Sequence, residues 1–511
     1  MALPAPSPGA AAESIGALLE TALGDRSDRT FLVYGSERYG AGQFQEAAAR
    51  ASGLFQRLGI EAGDRVALLL PNRPELLIAW MGLARLGAVT VALHSAYTAA
   101  ELGLVLRHAD PKACLIDAGL GAIAESAGAL LGGGVVRLAL GGKLAGALEW
   151  ERELQRAPAV ARAPVGPDQP ANILYTSGTT GAPKAVVQSH RTYALSGRGF
   201  AHWLELEASD RLYTCLPVSH INAQAYSFMG ALACGGSLAL APRFSASRYW
   251  EQIAACRATV ANAIGAMLSI LSQRRSRGAE TQHRLRLVYS APAPPAEPHL
   301  EFERRFRARL VIGYGLSEST FGTIQPLRGA RGLGSMGRPR CLPGLDCGLR
   351  LVDPGGADSH EGSAGEIWLR NPATMLGYFR DPEASAAVLR DGWLRTGDLA
   401  RRDAEGFYHF VDRRKHMIRR RGENVSALEV EGVIARHPAV AEVAVVGIDS
   451  PLGEQDVAAF VVLRRGRSAT AAELEAHCRA ALAGFKVPSR WNFRARLPRT
   501  STQRIAKHRL T

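Results

Sequence analysis

The chain has 511 residues, 47% hydrophobic and 21% charged, which excludes wholesale disorder and gives length for roughly two to four folding units. Basic side chains outnumber acidic ones 61 to 47, for a formal net charge of +14, a balance that suits anionic partners without saying which. The arginines are scattered apart from one dense run at 413–421, so the concentrated patch that nucleic-acid binding needs is missing and no such partner is expected. Only six of the 61 basic residues are lysine, so each lysine carries information. Seven cysteines, with no CxxC pair, predict neither a disulfide framework nor a zinc site and fit a reducing compartment. The start MALPAPSPGAAAESIG has no basic segment followed by an apolar core, and no apolar run approaches the roughly 18 residues of a spanning helix. A cytoplasmic protein without a membrane partner is expected.

In chain order, the first dozen residues are Ala- and Pro-rich and predict a frayed tail. The apolar run 66–70 reads as a buried strand, 74–86 as a helix closed by Gly87, and 89–93 as the next strand. Gly- and Ala-rich sequence over 117–147 reads as a loosely specified surface segment. The strand–helix rhythm recurs at 215–217, 237–240, 285–290 and 310–312. From about 334 to 410 short strands with Gly, Pro and Asp turns predict a small β subdomain. Helix and strands return over 427–463. The fold class is α/β: a large N-terminal domain (1–412) of mostly parallel sheets covered by helices plus the small β subdomain, and a small α+β C-terminal domain (413–511).

The densest chemical signal is Ile173-Leu-Tyr-Thr-Ser-Gly-Thr-Thr-Gly-Ala-Pro-Lys184. An apolar strand enters a loop of Gly, Ser and Thr that ends at a lysine. Converging backbone N–H groups, hydroxyls and one point charge suit a polyphosphate, and the spacing is not that of a Walker A loop. With Tyr314-Gly-Leu-Ser-Glu318, Gly334-Ser-Met-Gly-Arg-Pro339, Gly365-Glu-Ile367, Trp393-Leu-Arg-Thr-Gly-Asp398, Asp412-Arg413 and Gly422-Glu-Asn424, the chain resembles the adenylate-forming superfamily. Its polar run Ile221-Asn222-Ala-Gln224 is similar to the carnitine/crotonobetaine-CoA ligase branch.

The resemblance implies an acyl-CoA ligase that uses Mg-ATP to turn a carboxylic acid into an acyl-adenylate and then passes the acyl group to coenzyme A. Carried over by position, Thr176, Ser177, Gly178, Thr179, Thr180, Gly181 and Lys184 hold the β,γ-phosphates. Tyr314 stacks on adenine, with Ser290, Ala291 and Pro292 along its edge. Ser317 meets the α-phosphate, Glu318 ligates magnesium, and Asp398 accepts the ribose hydroxyls with Arg413 reinforcing it. His220 lies near the reacting carboxylate, and Asn222, Gln224, Gly313 and Gly315 line the acyl pocket. Lys415 is the pivot about which the small domain turns between half-reactions, and Gly422 admits the pantetheine arm of CoA.

One motif departs from the pattern. The family's C-terminal Gly-Lys is here Gln503-Arg504. The lysine inserts between carboxylate and α-phosphate, and arginine keeps the charge but brings a planar fork of different reach. Three readings stay open. Arg504 suffices for adenylation; Lys507 substitutes for the missing lysine; or the enzyme takes a preformed acyl-adenylate from a separate adenylating enzyme and performs only the thioester step. A stand-alone enzyme that loads a carrier protein is a further alternative, and a homodimer is compatible with the family.

Overall fold

A computed structural model describes residues 13–24, 28–176, 184–275, 278–413, 417–420, 423–450, 455–482, 484–499 and 505–510. Within these the chain forms two compact units, the first drawn from the described residues of 13–176, 184–349 and 369–394 and the second from those of 350–368 and 395–510. The predicted N-terminal tail falls outside the described residues.

The first unit contains two large sheets. In one, the strands Thr30–Tyr34, Ser237–Leu240, Arg211–Thr214, Val260–Asn262, Leu287–Ser290 and Arg309–Tyr314 lie side by side and parallel. Antiparallel strands close its edges. In the other, Pro170–Thr176, Val89–Ala92, Arg65–Leu69, Ala113–Asp117 and Val136–Leu140 run parallel in that order. The predicted helix forms as Pro74–Leu86, begun by Pro74, whose missing N–H costs nothing in the first turn, and ended at Gly87 with φ +81°. It packs on the helix Ala41–Arg57 so closely that a Cβ at Gly82 would lie 2.6 Å from that of Ala51. Phe31, Phe44, Trp80, Tyr193 and Phe228 interlock at ring separations of 5.0–6.1 Å in a fully enclosed core.

Three expectations are corrected. The strand expected at 215–217 is displaced to Arg211–Thr214, and beyond it the Leu216 N–H turns back to donate to Thr214 Oγ1 at 3.2 Å rather than to a neighbouring strand. The segment 117–147 is not loosely specified. It carries the helix Ala122–Leu130 and the strand Val136–Leu140, whose Leu138, Ala139 and Leu140 are buried. Cys341 and Cys347 form a disulfide with Cα atoms 5.9 Å apart. The intervening Pro343-Gly344 pair turns the chain back, with Gly344 at φ +80°. The other five cysteines are buried thiols.

In the second unit, the strands Trp393–Arg402 and Tyr408–Arg413 form an antiparallel pair. The helix Ala427–Ile434 packs with the strands Val440–Asp449 and Gln455–Leu463 around Val430, Val433, Val445, Val457 and Val461. Among the described residues no helix is long and apolar enough to cross a membrane.

Candidate active site

Several of the predicted site residues lie at the C-terminal ends of parallel strands of the first unit, the end at which open α/β sheets bind ligands. Strand Arg309–Tyr314 ends in Gly313 and Tyr314. Its neighbour Leu287–Ser290 ends in Ser290, which leads into Ala291-Pro292, and the next strand ends in Asn262. Two glycines let the backbone pass between large rings. A Cβ at Gly313 would sit 2.6 Å from the Tyr289 hydroxyl, and one at Gly315 would sit 2.7 Å from that of Tyr226. The Tyr226 hydroxyl is fixed, donating to the carbonyl of Thr320 at 2.6 Å. Ser290 Oγ is buried with no hydrogen-bond partner among the described residues.

The strands on either side of the predicted phosphate loop form a β-hairpin. Strand Pro170–Thr176 pairs antiparallel with Lys184–Ser189 and sets Thr176 opposite Lys184. Ser177, Gly178, Thr179, Thr180 and Gly181 lie outside the described residues. Lys184 Nζ rests 4.6 Å over the ring of Tyr378, and the Tyr378 hydroxyl donates to Glu318 Oε1 at 3.1 Å. Burial first, and then the Glu318 charge, hold that phenol well above its ordinary range, so it stays protonated. Ser317 is anchored through its carbonyl, which accepts a hydrogen bond from buried Gln188 Nε2.

On the acyl side, the His220 ring packs against His94 at 5.4 Å, and burial pulls the His94 pKa below its ordinary value. The segment Asn222–Phe228 is a π-helix, a geometry that often marks functional positions. Asn222 Oδ1 accepts from Asn262 Nδ2 at 2.8 Å, and Asn262 Oδ1 is buried and has no partner among the described residues. Gln224 turns inward. Its Oε1 accepts from the Tyr193 hydroxyl at 2.5 Å and from Asn172 Nδ2 at 3.2 Å. Asn262 opens the run Asn262-Ala-Ile-Gly-Ala-Met267, which belongs to the branch resemblance in the sequence, whereas His94 and Tyr378 carried no sequence signal and only their long-range neighbours bring them beside the predicted residues.

In the second unit, Asp398 is 2% exposed, and Arg413 Nε pairs with its Oδ1 at 3.0 Å across the two strands. Lys415, Gly422, Gln503 and Arg504 lie outside the described residues. Lys507 Nζ lies 2.7 Å from Glu431 Oε1, which also accepts from Val445 N at 2.6 Å. Burial pushes Glu431 up despite this partner.

Among the described residues no cluster of three or more His, Cys, Asp or Glu could cage a metal. The carboxylate the resemblance assigns to the metal is a single one, Glu318, linked through Tyr378 to Lys184 of the hairpin. That fits magnesium arriving with a nucleotide, since this ion keeps its waters and takes one or two carboxylates plus phosphate oxygens.

Comparison with known proteins agrees with the geometry. The model of "AMP-binding enzyme" matches residues 19–379, and that of the "AMP-binding enzyme C-terminal domain" matches 429–504. A crotonobetaine/carnitine–CoA ligase of Escherichia coli is 34% identical over 487 residues, covering 93% of each chain. The anthranilate CoA ligase AuaEII, solved with anthranoyl-AMP, superimposes with a TM-score of 0.88 at 25% identity, over 98% of this chain and 96% of that one. ATP-bound MatB from Rhodopseudomonas palustris gives 0.86 at 28% identity, over 97% and 98%. The chain belongs to the AMP-binding enzyme family and, within it, to the adenylate-forming acyl-CoA ligases.

Proposed function

We propose that this chain is a complete acyl-CoA ligase for a compact, polar carboxylic acid. In the first step a carboxylate oxygen bonds to the α-phosphorus of ATP, the bond from that phosphorus to the β-phosphate's bridging oxygen breaks, and pyrophosphate leaves. In the second the CoA thiol, losing its proton, bonds to the acyl carbon, and AMP leaves with the electron pair of the broken C–O bond. Binding and charge neutralisation carry most of the first step.

The observation that supports the complete reaction is the linked set Lys184, Tyr378 and Glu318. An enzyme that received only acyl-adenylate would have no β,γ-phosphates for Lys184 to hold. In this reading Thr176, residues 177–181 and Lys184 grip pyrophosphate, Tyr314 and residues 290–292 take adenine, and Ser317 meets the α-phosphate. Glu318 would hold magnesium, which supplies charge neutralisation on the phosphates. Asp398, buttressed by Arg413, accepts the ribose hydroxyls, His220 lies beside the acyl group, and Lys415 and Gly422 serve the thioester step. Lys507 is an anchor rather than a spare catalytic cation, because its ammonium is committed to Glu431. That leaves Arg504 as the cation between carboxylate and α-phosphate.

The acid class follows from what surrounds the glycine-lined end of the sheet. Tyr226, locked on Thr320, and Tyr289 stand directly behind Gly315 and Gly313, and their bulk on that side favours a compact acid over a long alkyl chain. Asn222 and Asn262 offer amide groups to a polar substituent. The relative named crotonobetaine/carnitine–CoA ligase is in keeping with this class.

The test separates the half-reactions. Thioester formation is measured from acid plus Mg-ATP, and beside it from the synthetic acyl-adenylate, over short polar, aryl and long-chain acids. Turnover in both arms with a short polar acid is expected. Product only from the adenylate would replace the proposal with an enzyme supplied by a separate adenylating partner. Preference for a holo-carrier protein over free CoA would replace it with a carrier-loading enzyme.

A further inference from the structure

Residues 373–379 run between the two arms of the phosphate-binding apparatus and hydrogen-bond to both. On one side Leu376 N donates to Val187 O at 2.9 Å and Phe379 N to Ala185 O at 2.8 Å, adding a strand beside the lysine-bearing arm of the hairpin. On the other, Met375 N donates to Glu318 O at 2.7 Å and Thr320 N to Ala373 O at 3.3 Å. The backbone holding Lys184 and the backbone holding Glu318 are thus tied to one short segment. Its only side chain bridging the two functional groups among the described residues is Tyr378, which is 8% exposed. The ring face carries the Lys184 ammonium at 4.6 Å, and the hydroxyl donates to Glu318 Oε1 at 3.1 Å. The Tyr378 backbone is pinned in turn, its N–H donating to Ser385 Oγ at 2.8 Å.

We propose that Tyr378 is a positioning residue for the triphosphate: it holds the Lys184 ammonium and the Glu318 carboxylate, through opposite ends of one rigid ring, at the separation that phosphate and its magnesium need. The inference rests on the function proposed above and adds a residue to it. A ring face attracts a cation, and a phenol donates to a carboxylate, so tyrosine serves both groups at once. Left without it, lysine and glutamate attract each other directly and pair. That pair would have to break each time ATP entered. The phenol takes Oε1, and Oε2 would remain for a cation.

The experiment is calorimetric titration of the full-length chain and of two variants, Tyr378→Phe and Tyr378→Leu, with ATP at several magnesium concentrations and with AMP alone. Tyr378→Phe keeps the ring under Lys184 and removes the hydroxyl. It is expected to weaken Mg-ATP binding by on the order of tenfold and to raise the magnesium concentration needed for half-maximal binding, while AMP affinity stays at the wild-type value. Tyr378→Leu loses the ring as well and should weaken Mg-ATP further, again sparing AMP. Unchanged Mg-ATP affinity and magnesium dependence in both variants would overturn the inference. An equal loss of AMP binding would also overturn it, since that marks a general structural role. A wild-type chain that binds neither nucleotide would remove the functional reading itself, and this inference with it.

Discussion

Asp398 and Arg413 face each other across two antiparallel strands, and the carboxylate is almost wholly enclosed. The place of Asp398 in the motif Trp393-Leu-Arg-Thr-Gly-Asp398 is the basis for proposing it as the ribose acceptor. Asp398→Ala should therefore reduce AMP affinity by on the order of ten- to a hundredfold. Unchanged AMP binding by calorimetry would sink the assignment. Lys507 invites the opposite test. Its ammonium and the Glu431 carboxylate are 18% and 14% exposed, so Lys507→Met strands a buried charge and should destabilise the chain by about 2–3 kcal/mol in urea denaturation. The double change Lys507→Met with Glu431→Gln should recover most of that loss. A selective loss of adenylation at unchanged stability would instead return Lys507 to the catalytic set. At this scale the sequence was most legible where a residue type is scarce: Lys184 stands out among so few lysines. Tyr378 was illegible, because its meaning lies in partners 194 and 60 residues away, and nothing in Gly377-Tyr378 names either of them.

The strand that ends in Tyr314 is fixed from below by the helix Ala296–Phe306. Glu303 on that helix accepts from Leu310 N at 2.7 Å and pairs with Arg331 at 2.5 Å, and the fully buried His299 lies 3.5 Å from it. Burial pushes the Glu303 carboxyl up, but the hydrogen bonds from His299, Arg331 and Leu310 outweigh it and bring it down to about 2, against an ordinary 4.5. A carboxyl lowered by folding contributes stability that is complete above the unfolded value and is lost as pH falls toward the folded one. The stability difference between wild type and Glu303→Gln should therefore shrink by about 2 kcal/mol between pH 7 and pH 3. A difference independent of pH, read from urea midpoints, would show that the carboxyl is not paired as described. The same end of the sheet allows a packing test. Gly315→Ala would drive a methyl to within 2.7 Å of the Tyr226 hydroxyl and should lower turnover with any acid by displacing that ring. Elements of this kind were legible when their punctuation was local, as with Pro74 and Gly87. The strand Val136–Leu140 was missed because surrounding Gly and Ala masked an alternation that only its neighbour Ala113–Asp117 makes decisive.

Across the molecule, the order of the motifs along the chain pointed to the family before any geometry, and the family models match in that same order, at 19–379 and then 429–504. The neighbour order of the strands was not legible. Ser237–Leu240 lies between Thr30–Tyr34 and Arg211–Thr214, a pairing set by which faces bury one another rather than by any local signal. The feature that bears on the whole reaction is the exchange of lysine for arginine at 504. Arginine stays charged throughout the reaction, as adenylation requires, but its fork is wide and planar where an ammonium is compact. If Arg504 is the cation that neutralises the developing charge, Arg504→Ala should cut ATP–pyrophosphate exchange by on the order of a hundred- to a thousandfold. Thioester formation from the synthetic acyl-adenylate should persist in that variant, since that step has no β,γ-phosphates to release. Arg504→Lys should retain or raise exchange, because the shorter head group restores the compact charge. An Arg504→Ala enzyme that exchanges pyrophosphate as fast as wild type would remove Arg504 from the reaction. With Lys507 already committed to Glu431, the search for the adenylating cation would then move to the remaining arginines of the C-terminal unit.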